Sequence, residues 1–73
     1  MTKKYERLDM CLGKVVGGNR SGAYILLDNG EPAFAYNFSS LSRGTEVLCS
    51  ICRLATEDRN TVVSVDSVLE YAA

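Results

Sequence analysis

Apolar residues recur at every second position over much of this chain. In Val47-Leu48-Cys49-Ser50-Ile51, the residues Val47, Cys49 and Ile51 share one face of an extended strand. Val63 and Val65 alternate in the same way with Ser64 and Asp66. Six glycines (Gly13, Gly17, Gly18, Gly22, Gly30, Gly44) cut the sequence into short pieces. The β-branched and aromatic residues collect between them, which suits short strands better than long helices. The pattern predicts strands over residues 8–16, 23–28, 31–36, 45–54 and 61–68. Gly17 to Gly22 reads as a loop and Thr56 to Asn60 as a polar turn. The Ser-rich stretch 37–43 is long enough for one helical turn ending at Gly44, and residues 69–73 form a short tail. So many short strands in a chain of 73 residues leave more edges than a flat sheet can hide. Curling into a closed barrel removes those edges and encloses one core. Gly13 predicts the bulge or bend that lets the first strand pair with two neighbours.

The hairpin around Asn29-Gly30 decides where the rings go. These two residues predict a two-residue type I′ turn, because both accept positive φ. Asp28 then faces Glu31, Leu26 faces Ala33, and Tyr24 faces Ala35. Phe34 and Tyr36 fall on the Ile25 face, away from Tyr24. A bulge beside Pro32, a residue suited to a strand start or a free edge, shifts the pairing by one. That register gathers Tyr24, Phe34 and Tyr36 on one face. The hydrophobic pattern alone admits both.

Composition narrows the function classes. Hydrophobic residues make up 47% and charged residues 23%, which is ordinary for a globular domain and excludes disorder by composition. The length allows one small domain over residues 1–73, with its core within about 8–68. Eight Lys and Arg against nine Asp and Glu give a net charge of -1, which argues against a polybasic binder but leaves room for a local basic patch. There is no His, so the usual general base and metal ligand are missing. Cys49 and Cys52 form a lone CxxC; three apart on a strand they face opposite sides, and no second ligand pair exists. Cys49 reads as core filler and Cys52 as an exposed thiol. Gly17 to Gly22 joins two strands and opens no helix, so it is a poor phosphate loop. The expectation is a protein without catalysis, metal or cofactor. The charged N-terminal stretch, the free thiols and the lack of any membrane-length apolar run lead to an expectation of the cytoplasm, with no membrane partner.

Four segments, in order, resemble the S1-like branch of the OB-fold. They are Leu12-Gly13-Lys14-Val15, Ser21-Gly22-Ala23-Tyr24-Ile25, Gly44-Thr45-Glu46-Val47-Leu48-Cys49-Ser50-Ile51, and Val63-Ser64-Val65-Asp66-Ser67. Ala33-Phe34-Ala35-Tyr36 also resembles the aromatic-bearing strand of cold-shock proteins. The resemblance implies an all-β, five-stranded, S1-like Greek-key barrel with a short helical turn between strands 3 and 4. It implies binding of single-stranded nucleic acid, RNA before DNA, with low sequence preference. Tyr24, Phe34 and Tyr36 would stack on bases, and Lys14, Arg20, Arg43 and Arg59 would meet phosphates. The competing expectation is a protein-protein interaction module or a small homodimeric adaptor, since OB-folds host many functions.

Overall fold

A computed structural model of the chain describes residues 5–36, 38 and 41–70. It contains five strands: β1 (Met10–Asn19), β2 (Gly22–Leu27), β3 (Pro32–Tyr36), β4 (Glu46–Arg53) and β5 (Thr61–Glu70). They close into a barrel in the order β1-β2-β3-β5-β4. All neighbouring pairs are antiparallel except β3 with β5, which is parallel. This is the connectivity of the OB-type barrel. The expected helical turn falls partly on residues 37, 39 and 40, outside the described residues; beside them, the Leu41 N–H donates to the Phe38 carbonyl. The far end of the expected tail, residues 71–73, also lies outside them, whereas Leu69 and Glu70 continue β5. Among the described residues no helix is long and apolar enough to cross a membrane.

Alternation fixes the core. Ala23, Ile25 and Leu27 of β2, Ala33 and Ala35 of β3, and Val47, Cys49 and Ile51 of β4 all point inward and are buried. Cys11 and Val15 of β1 and Val63 of β5 join them. Tyr5 extends the core before its expected start. It packs into the same cluster, and its hydroxyl donates to the Asp28 carboxylate. That hydrogen bond, reinforced by burial, pushes the Tyr5 phenol up to about 12. Burial first, then the nearby Asp28 carboxylate, pushes the Cys11 thiol up to about 11. Burial and the neighbouring Cys11 push Cys49 up to about 12. Cys52 is exposed, so the two sulfurs of the CxxC diverge as the strand period requires. Thr45 is fully buried, and its hydroxyl has no partner among the described residues.

Two expectations about β1 are corrected. Its bulge lies at Val16, between the Val15↔Ile25 and Gly17↔Tyr24 pairs, and not at Gly13. Gly13 carries no register shift, but it and Lys14 are the residues at which β1 pairs with both neighbours, β2 and β4, as expected of that position. Gly17, Gly18 and Asn19 belong to the strand and not to the loop. The loop contracts to Arg20-Ser21 because the Asn19 side-chain oxygen accepts the Ser21 N–H at 2.8 Å and the Gly22 N–H at 3.3 Å. Gly22 has no alternative at its position. A Cβ there would sit 2.0 Å from the Ala35 carbonyl oxygen on β3.

The turn between β2 and β3 is also corrected. Gly30 has φ +89°, whereas Asn29 is not among the residues with positive φ, so a type I′ turn is excluded. The Gly30 N–H donates to the Leu27 carbonyl and the Leu27 N–H to the Glu31 carbonyl, both at 2.9 Å. Asp28, Asn29 and Gly30 thus make a three-residue loop with its left-handed residue at Gly30, the hairpin form that ends in a glycine bulge. The Asn29 side-chain oxygen accepts the Glu31 N–H, which holds the loop in this shape. The extra loop residue moves the pairing by one, to Leu26↔Pro32 and Tyr24↔Phe34. The shifted register is therefore the one adopted, and its cause lies in the turn.

Candidate nucleic-acid interface

The shifted register puts three rings on the outer face. Tyr24 on β2 lies across from Phe34 on β3, and Tyr36 follows Phe34 two positions on. Tyr24 and Tyr36 are 42% and 51% exposed, and Phe34 is half-buried between them. The Tyr24 and Phe34 centroids are 5.1 Å apart at 65°, and those of Phe34 and Tyr36 are 4.9 Å apart at 78°. Both contacts are edge-to-face, the favoured arrangement for aromatic pairs. The two tyrosines therefore stand as walls beside the Phe34 ring. The Asn19 amide donates to the Tyr24 hydroxyl at 3.2 Å, so the residue that closes the β1–β2 loop also orients the first ring.

The parallel pairing of β3 with β5 extends this row. Phe34 lies across from Val62, and Val62 across from Arg53 at the end of β4. Arg59 and Asn60 come from the turn that leads into β5. An open groove of about 490 Å³ results, lined by Asn19, Ser21, the three rings, Val62, Arg53, Arg59 and Asn60. That volume is within the range of small-molecule sites. Its charged lining is two guanidiniums and no carboxylate. Neither arginine forms an ion pair among the described residues. Flat apolar surfaces beside unneutralised positive charge suit a ligand that is planar and anionic. They disfavour a cation, which an isolated aromatic cage would otherwise attract.

Of the residues expected at the site, Tyr24, Phe34, Tyr36 and Arg59 meet in this groove, and Lys14, Arg20 and Arg43 do not line it. Lys14 stands between Leu26 and Glu46 on another part of the outer surface. Arg20 sits in the β1–β2 turn, exposed. The Arg43 guanidinium donates to the Val16 carbonyl at 3.1 Å, where it satisfies the bulged strand. Asn19, Arg53 and Asn60 were not anticipated. Arg53 reaches the groove because the β4–β5 pairing slips between Ile51 and Arg53, a slip that no period-two pattern records. Comparison with family models, curated proteins and solved structures gives no match.

Proposed function

We propose that this barrel binds single-stranded nucleic acid, RNA in the first instance, with low sequence preference. The observation that carries the reading is the outward row Tyr24, Phe34, Val62, Arg53 across four neighbouring strands. Bases stack on the rings, which every base can do, so affinity arises without readout of sequence. Arg53 and Arg59 lie at the far side of the same groove, where a sugar-phosphate backbone would pass. The likeness of the strand motifs to S1-like domains supports RNA over DNA. With two cationic contacts, the logarithm of affinity should fall against the logarithm of salt with a slope of about -1.4. Glu57 and Asp58, in the turn that carries Arg59, keep the affinity modest.

The test uses tyrosine fluorescence, since the chain has no tryptophan and stacked bases quench tyrosine. Titration with mixed-sequence single-stranded RNA and DNA should give saturable quenching. Tyr24→Ala and Tyr36→Ala should each weaken binding about tenfold with the far-ultraviolet circular dichroism unchanged. Folded variants that bind as well as the parent would refute the role of the rings.

A further inference from the structure

The centre of the aromatic groove is β3. In the closed order β1-β2-β3-β5-β4, the seam between β1 and β4 lies diametrically across the barrel from it. That seam is also apolar on its outside, but its chemistry differs. Met10 and Leu12 point outward from β1 and are 56% and 47% exposed. Leu48 is the cross-strand neighbour of Leu12, and Leu26 that of Lys14. Leu12 and Leu26 flank Lys14, Leu48 and Met10 carry the apolar surface on from Leu12, and none of the four lines the groove.

Carboxylates rim this patch. Asp28 lies at one end, its backbone N–H donating to the Leu12 carbonyl. Glu46 is the cross-strand neighbour of Lys14, and Glu70 that of Glu46. Asp66 accepts a hydrogen bond from Ser50, whose own neighbour is Met10. All four carboxylates are on exposed residues, and Lys14 lies between Leu26 and Glu46 on the same surface. Glu46 and Glu70 directly opposite each other repel, which costs stability in the free protein and is relieved by a cation placed over them. A second copy of this chain would bring the same carboxylates against each other, so self-association on this face is disfavoured.

We propose that the β1–β4 face docks a basic, amphipathic segment of another protein, with leucine-like side chains on Leu12, Leu26 and Leu48 and Lys or Arg over Glu46 and Glu70. The barrel then holds nucleic acid on one side and a cationic protein segment on the other. Burial of the aliphatic patch supplies the affinity, and the acidic rim selects the partner's charge.

The probe is a short synthetic peptide of alternating leucine and lysine, titrated into the isotope-labelled full chain and followed by NMR. Two control peptides replace the lysines by glutamate and the leucines by serine. Saturable shifts are expected at Met10, Leu12, Leu26, Leu48, Glu46 and Glu70 with the leucine-lysine peptide. The glutamate control should give none, and the serine control should bind at least about tenfold more weakly. Glu46→Lys with Glu70→Lys should abolish the shifts while the spectrum stays dispersed; Leu12→Ser should weaken binding about tenfold. Equal binding by the serine control, shifts confined to Tyr24, Phe34 and Tyr36, no shifts at all, or a concentration-dependent dimer through the leucines would each overturn the proposal.

Discussion

The barrel's two outer faces follow the same alternating grammar and carry opposite chemistry. On the β2–β3–β5 side the outward positions are Tyr24, Phe34, Tyr36 and Val62, with Arg53 and Arg59 beside them. On the β1–β4 side they are Met10, Leu12, Lys14 and Leu48, next to Glu46, Asp66 and Glu70. A net charge of -1 averages these faces into near neutrality. What a ligand meets is the local charge within about one Debye length, roughly 8 Å at physiological salt. The mean charge of a small domain is therefore a poor guide to its partners when its charges are sorted by face.

The largest effect that sharpens this contrast is loss of both outer rings. Tyr24→Ala combined with Tyr36→Ala should lower affinity for single-stranded RNA about a hundredfold, whereas Leu12→Ser on the other face should leave it unchanged. Equal losses from both would erase the distinction between the faces. Next come the charges. Arg53→Gln or Arg59→Gln should each reduce the salt slope by about 0.7 and the affinity several-fold, and Lys14→Gln should do neither. Binding titrations at several salt concentrations separate these outcomes.

Smaller effects concern the core that both faces share. Tyr5, Cys11 and Cys49 all ionise later in the folded protein than their ordinary values of 10.0, 9.0 and 9.0. Their neutral forms are favoured by folding, so this stabilisation is complete below about pH 9. It is lost as pH rises from there toward about 12, where the folded-state thiols and phenol ionise. Urea midpoints should be level with respect to these groups from neutral pH to about 9 and then fall. A midpoint that rose over that alkaline range would contradict the assignment. Last, Thr45→Val should raise stability by about 1 kcal/mol, because it removes a buried hydroxyl with no partner among the described residues at nearly constant shape. Thermal melts of the two proteins check it.

The inward half of the structure was legible in the sequence, because burial imposes a period. Val47, Cys49 and Ile51 fall inside as the alternation requires, and so does the partition of Cys49 from Cys52. The outward half was less so. Whether Tyr24 meets Phe34 depends on a single loop residue, and Asn29-Gly30 carries the signature of the shorter turn while Gly30 serves as the left-handed end of a longer one. Arg53 was missed for a related reason. Its position follows from an irregular β4–β5 pairing and a parallel β3–β5 contact, both long-range consequences of closing the barrel. Arg43 lies outside the groove and donates to the bulged Val16 carbonyl, and a lone basic residue in a loop gives no sign of that.

The most direct test of the central claim is an NMR titration of the full chain with mixed-sequence single-stranded RNA at low and moderate salt. The expected result is shifts at Tyr24, Phe34, Tyr36, Arg53, Arg59 and Asn60, weaker at the higher salt, with Leu12, Leu48 and Glu46 still. Shifts centred on the β1–β4 face, or a spectrum that RNA leaves unchanged at low salt, would contradict it.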